Sequence, residues 1–195
     1  MDGRAHALRG IDLRVSPGVE IGPLTRPLVR KDEAEVYYID RASAAELRAY
    51  HRHNPEIDVD AIVEVDFVWG ERTLSQCVSG RRLDWCFAGH VVEHVPDLIG
   101  WLAEVEEILR PGGILSLIVP DRRYSFDYLR RTSVLSEAIE AHLMRLRRPS
   151  SRQVHDQVAN SVAVDTARMW TDAAYRAGLK PGREPSFALR RAREP

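Results

Sequence analysis

The apolar positions of this chain fall into short, nearly continuous runs separated by amphipathic stretches. Residues 19–22, 36–40, 61–66, 83–88 and 114–119 are such runs, rich in Val, Ile and Leu. Runs this short with few polar interruptions mark strands buried on both faces, as in a parallel sheet. Helical patterns lie between them. Ser43-Ala44-Ala45-Glu46 is a capping-box pattern opening a helix through about Arg52, and Asn54-Pro55 breaks it. Residues 74–79 read as a second helix. Leu98, Trp101, Leu102, Val105, Ile108 and Leu109 recur at helical spacing, and Arg110-Pro111-Gly112-Gly113 ends that helix. Strands alternating with helices predict an α/β fold: a mainly parallel, Rossmann-like sheet with helices on both faces.

Past residue 128 the pattern turns helical. Residues 132–147 carry Val134, Leu135, Ala138, Ile139, Leu143 and Leu146 on one stripe. Residues 151–163 and 165–177 read as two more helices, with Gly178 as a C-cap. Closing strands are weak or absent, with 186–189 the one weak strand candidate. The chain therefore reads as a single domain: a core over about 17–128, a helical extension over 129–178 and a mobile tail over 179–195. Residues 1–16 form a lead-in, read as a short helix packed beside the site.

Composition narrows the class. The chain has 195 residues, 44% hydrophobic and 29% charged, with a formal net charge of −1. That is globular, and no global field argues for nucleic acid. The arginine clusters at 130–131 and 145–148 have too few interleaved aromatics to read as a nucleic-acid site. Cys77 and Cys86 lack metal-ligand spacing and read as reduced and buried. Met1 to Ser16 has no apolar signal core, and residues 114–120 are too short to span a bilayer. A cytoplasmic protein with no membrane contact and no metal is expected.

The strand ends carry the candidate chemistry. Glu20-Ile21-Gly22-Pro23 closes the first run, and Asp40 closes the second, twenty positions after Glu20. In open α/β sheets the ligand lies outside the carboxyl ends of the strands, where strand order reverses. Gly22 admits a ligand close to the backbone, and Asp40 can accept hydrogen bonds from a ribose. A nicotinamide dinucleotide fits poorly, because Gly22 to Pro27 holds one glycine and two prolines where a G-x-G-x-x-G loop should cradle a pyrophosphate. Glu20 would also repel that pyrophosphate and suits a cationic cofactor.

The pattern E-x-G-P followed by a strand ending in Asp resembles the class I S-adenosylmethionine-dependent methyltransferases, in a variant whose first motif is shortened to E-I-G-P. The block D-x-x-x-A-x-H-V-x-E-H-V-x-D, followed by L-R-P-G-G-x-L-x-L-x-V-P, spans Asp84 to Pro120. It resembles the fourth and fifth strand region of the ubiquinone/menaquinone-type group. Residues 120–127 resemble the P-D-(K/R)-R-Y-T-F-D loop of one bacterial subset. The resemblance covers roughly 17–128 and implies a sheet of core order 3-2-1-4-5 and the cofactor S-adenosyl-L-methionine. It implies Glu20 at the methionine end, Gly22 and Pro23 along the cofactor, and Asp40 on the ribose. It also implies Asp66 on the adenine amine with Phe67 packed on the ring, and Gly89 and His90 beside the reaction centre. The family's two closing strands have no clear counterpart here.

His90 can border the cofactor or act as a general base, or it can pack the strand-to-helix turn. Glu93 and His94 read as turn-fixing residues. Arg122, Arg123 and Tyr124 can line an acceptor pocket, the arginines binding an anion. The expectation is methyl transfer to a small acceptor. Two alternatives stay open: a truncated, weakly catalytic binding or partner protein, and an NAD-dependent oxidoreductase. The unpaired edge of the fifth strand predicts a homodimer.

Overall fold

A computed structural model of the chain describes residues 3–193. They fall into two compact units: Met1–His94 with Gly100–Val119, and Val95–Ile99 with Pro120–Pro195.

The first unit carries, in chain order, α1 (Gly3–Ala7), β1 (Gly18–Ile21), β2 (Val36–Asp40), α2 (Ala44–His51), β3 (Phe67–Val68), α3 (Leu74–Cys77), β4 (Leu83–Gly89), most of α4 (Leu98–Ile108) and β5 (Leu109–Ile118). Among the described residues, five strands form one all-parallel sheet in the order β3-β2-β1-β4-β5. This is the expected Rossmann-like α/β arrangement. In register, Glu20 lies beside Tyr38 and Phe87, and Ile21 beside Ile39 and Ala88.

Strand alternation puts Gly18, Val36, Tyr38, Trp85 and Phe87 on one face. Gly18 is required there, because a Cβ at that position would lie 1.9 Å from the Trp85 ring. Ala7, Val29, Val36, Tyr38, Trp85 and Phe87 form a buried cluster, with Leu28 and Ile114 against it. The N-terminal segment is pinned over this face: Ser116 Oγ donates to the Ala7 carbonyl, and Trp85 Nε1 donates to the Ser16 carbonyl. A second cluster of Ala44, Leu47 and Ile62 holds α2. Its N-terminus has the capping box read from Ser43 and Glu46.

Two strand expectations need correction. The run 61–66 is not a strand. Asp58 caps a tight turn over Val59–Ala61, and Ile62 is buried against α2. The Val63 N–H then bonds the Leu24 carbonyl, so this apolar backbone is satisfied by a loop. Only Phe67–Val68 pair with β2. The fifth strand begins before the Arg-Pro-Gly-Gly segment. Leu109 pairs with Leu83 and Ile114 with Trp85, so 110–113 form a bulge inside β5. Gly112, at φ +81°, supplies the left-handed residue of that bulge.

The second unit holds a tight turn (Arg122–Tyr124), then α5 (Leu135–Leu143), α6 (Ser151–Asn160), α7 (Thr166–Thr171), α8 (Ala173–Ala177) and α9 (Pro185–Arg191). The helix expected over 165–177 is two helices, because the Asp172 carboxylate turns back to cap the second through the Tyr175 N–H. The α5 stripe is not a buried face. Leu135 and Leu143 are 73% and 77% exposed, and Ala141 is the buried residue. The strand candidate at 186–189 is helical. Pro185 occupies the first turn, where its missing N–H is harmless, and Ala188 is buried. Most of the tail expected to be mobile is thus ordered through α9, and its last two residues lie outside the described ones. Among the described residues no strand flanks the outer edge of β5.

Candidate active site

The carboxyl ends of β1, β2 and β4 meet at one edge of the first unit. The chain runs from β1 outward to β2 and β3, then returns to the other side of β1 with β4, so strand order reverses between β1 and β4. Gly22 follows β1 there with φ +70°, a conformation glycine adopts at no steric cost. A Cβ at Gly22 would come within 3.0 Å of Val91 Cγ2. Pro23 continues the turn, and its carbonyl accepts from the Arg26 N–H at 2.9 Å.

Asp40 closes β2. Its side chain is nearly buried, at 8% exposure for the residue, and Oδ1 accepts from the Arg41 N–H at 2.7 Å. Burial raises its pKa, opposed by that N–H and by the charges of Arg41 and His51. No protein donor satisfies Oδ2 among the described residues. On the other side of β1, Gly89 ends β4 and His90 turns away from it. His90 has φ +55°, unusual for a residue with a side chain, and its N–H bonds the Ile118 carbonyl at 2.9 Å. Its ring is exposed, with Nδ1 3.5 Å from Glu93 Oε1.

Glu20 does different work from that expected. It is 2% exposed, with Oε1 2.8 Å from the Leu28 N–H and Oε2 3.1 Å from the Val29 N–H. Burial raises its pKa, and the two backbone N–H groups oppose the shift. Both oxygens clamp the loop over 23–29 that stands where a glycine-rich turn would otherwise run. The Tyr38 hydroxyl adds a bond to the Val29 carbonyl. Glu20 therefore shapes the site's wall instead of facing into it.

Asp66 is also placed differently. It precedes β3 instead of ending it, and its carboxylate takes the Tyr38 N–H at 2.7 Å and Lys31 Nζ at 2.6 Å. Phe67 lies within β3 beside Ile39, its ring 5.6 Å from Tyr37. The residue after β3 is Trp69, whose N–H bonds the Asp40 carbonyl at 2.7 Å. Sequence reasoning passed over it, because a lone tryptophan after a run carries no spacing signal.

Arg122, Arg123 and Tyr124 belong to the second unit. Arg122 donates to the Tyr128 and Arg130 carbonyls, Arg123 is paired with Asp121, and Tyr124 stacks on Trp170.

The sheet edge holds two buried polar atoms with no partner among the described residues: Trp69 Nε1 and Glu93 Oε2. Native structures leave few such groups, and a donor and an acceptor left open beside a glycine cradle fit a polar ligand. Among the described residues no three His, Cys, Asp or Glu side chains gather as a metal site. Cys77 and Cys86 are free and buried, and burial pushes the Cys86 thiol up to about 12. No helix among the described residues is long and apolar enough to cross a membrane.

Residues 15–117, more than half of the chain, match the methyltransferase domain, and the chain belongs to that family. No curated protein matches the chain. Among solved structures it is similar to the CcbJ methyltransferase from Streptomyces caelestis, at 20% identity and a TM-score of 0.42, covering 64% of this chain and 54% of that one. It is similar to the DhpI-SAM-HEP complex, at 27% identity and a TM-score of 0.40, covering 63% of this chain and 58% of that one. A putative sarcosine dimethylglycine methyltransferase from Galdieria sulphuraria shares 14% identity at a TM-score of 0.37, covering 92% and 74%. The chain spans little more than half the length of the first two.

Proposed function

We propose that this chain binds S-adenosyl-L-methionine at the carboxyl edge of its sheet and transfers the methyl group to a small acceptor. Membership of the methyltransferase-domain family supports the class of reaction. The observation that carries the site is the convergence of Gly22, Asp40 and the Gly89–His90 turn at the point where strand order reverses. The open atoms of Trp69 and Glu93 add a donor and an acceptor at that edge.

The cofactor supplies a methyl group on a sulfonium, which an acceptor displaces in line. Positioning then does much of the work. Gly22 and Pro23 leave the backbone open to the cofactor, and Asp40 accepts from its ribose hydroxyls. Glu20 holds the wall of that opening through Leu28 and Val29. Gly89 leaves room beside the reaction centre. The exposed His90 ring can take a proton from an acceptor that binds protonated, with Glu93 beside it to steady the imidazolium.

Two finer readings accompany this one. The motif variant E-I-G-P and the block from Asp84 to Pro120 support kinship with the ubiquinone/menaquinone-type group. The open outer edge of β5, with Leu117 and Ile118 partly exposed, supports self-association through that edge. Two free buried thiols support a reducing, cytoplasmic setting. Incubation with S-adenosylmethionine and a metabolite mixture tests the reaction. The expected result is a product heavier by one methylene together with S-adenosylhomocysteine. No turnover of the cofactor with any acceptor, in a protein that binds S-adenosylhomocysteine, would favour the weakly catalytic binding protein.

A further inference from the structure

The second unit carries an aromatic feature that packing alone does not explain. Tyr124 and Trp170 stack with centroids 3.9 Å apart and planes 7° from parallel. Trp170 is nevertheless 62% exposed. With Tyr124 covering one face of the indole, the open area belongs to its other face and edges. A stack that only joined the 122–124 turn to α7 would gain most by burying the larger ring.

Charge gathers around the same pair. The Arg123 and Arg176 guanidiniums lie 5.6 and 6.0 Å from the Tyr124 centroid. Arg123 is neutralised by Asp121 at 2.6 Å. Arg176 is not: its Nη1 donates to the Met169 carbonyl at 2.7 Å, and it pairs with no carboxylate among the described residues. Arg122, two positions before Tyr124, is likewise held by carbonyls alone. Guanidiniums steered by carbonyl oxygens keep their full charge and a fixed orientation, which suits recognition of a planar anion.

We propose that Trp170, backed by Tyr124 and flanked by Arg176, is a binding platform for a small planar anion of the aromatic-carboxylate class. A ring would stack on the open indole face, and its carboxylate would meet the unpaired guanidinium. That this ligand is the methyl acceptor rests on the function proposed above, whereas the binding itself does not.

Calorimetry on the full chain tests it, with 4-hydroxybenzoate as the probe, 4-hydroxybenzyl alcohol as its neutral counterpart, and a parallel titration of S-adenosylhomocysteine. The carboxylate should bind roughly tenfold more tightly than the alcohol. Trp170→Ala should weaken the carboxylate by roughly tenfold or more, the worth of one stacking contact. Arg176→Gln should abolish the preference for the carboxylate, and neither variant should alter S-adenosylhomocysteine affinity. Trp170 is exposed, so its loss should leave the circular dichroism unchanged. If Trp170→Ala does not fold, Arg176→Gln decides alone. Equal binding of the two probes, or no effect of either substitution, overturns the platform. So does tryptophan fluorescence of the native protein that shifts with protein concentration and loses that shift in Trp170→Phe, because a second copy would then cover the indole. A protein that binds S-adenosylhomocysteine but neither probe loses the platform and keeps the methyltransferase reading. One that binds the carboxylate but not S-adenosylhomocysteine does the reverse.

Discussion

Glu20 Oε1 accepts the backbone N–H of Leu28 at 2.8 Å, eight residues further along the chain. Its second oxygen takes the Val29 N–H. One buried carboxylate thus closes the loop that follows β1 and sets the wall against which Gly22 opens. Glu20→Ala strips the acceptors from both N–H groups, each worth about 1–3 kcal/mol when left buried and unsatisfied. Relief of the buried charge offsets part of this. A net loss of about 2–4 kcal/mol is expected in urea unfolding, with Glu20→Gln intermediate. A Glu20→Ala protein as stable as the native one would contradict the clamp.

The same residue gives a pH dependence. Burial raises the Glu20 pKa, so the folded chain holds this proton to higher pH than the unfolded chain does. Stability from that proton is full below the ordinary carboxylate pKa of about 4.3 and is lost as pH rises through the folded value. Relative to Glu20→Gln, which cannot titrate, the native protein should lose stability as pH rises from about 4 toward neutrality. A constant difference between the two across that range would show that Glu20 is not perturbed.

Gly22 stands at φ +70° with Val91 against its missing side chain. Gly22→Val puts a β-branched residue in the left-handed region, at about 1–2 kcal/mol, and places it in the cofactor's path. Melting temperature should fall, and S-adenosylhomocysteine binding should be lost. Normal binding by a folded Gly22→Val protein would mean that the ligand does not cross the end of β1.

His90 sits at φ +55°, so two substitutions separate its backbone from its ring. Glycine relieves the strained conformation and alanine does not. His90→Gly should be more stable than His90→Ala by about 1 kcal/mol. If the imidazole takes a proton from the acceptor, both should lower kcat while leaving S-adenosylhomocysteine affinity within about threefold. Full turnover in His90→Gly would leave the ring without a catalytic part.

What could be read from the residues alone was what local physics decides. The β2 run ends at Asp40 as expected, and Ser43 and Glu46 close the capping box that their spacing predicts. The sheet order followed from alternating runs joined to the E-I-G-P resemblance. Misreadings came where tertiary partners decide. Residues 61–66 alternate like a strand, yet Leu24 and the α2 core claim their backbone and side chains, which moves Asp66 to Lys31 and Tyr38. Residues 186–189 suit a strand by composition, but Pro185 starts a helix there. Glu20 was legible as important but not as a clamp, because its partners are backbone N–H groups that no side-chain pattern reveals. Trp69 and Glu93 were not marked as ligand groups, because an unpartnered atom exists only in three dimensions.

Asp40 carries the central claim, that a ribose-bearing cofactor lies across the ends of β1 and β2. The most direct test is calorimetry of S-adenosylhomocysteine and of NAD with the native protein and with Asp40→Ala. The native protein should bind S-adenosylhomocysteine and not NAD. Asp40→Ala should keep its fold and lose about 1.5–3 kcal/mol of that affinity, the worth of hydrogen bonds to a charged acceptor. Unchanged affinity in a folded Asp40→Ala protein, or tighter binding of NAD than of S-adenosylhomocysteine, would contradict the account.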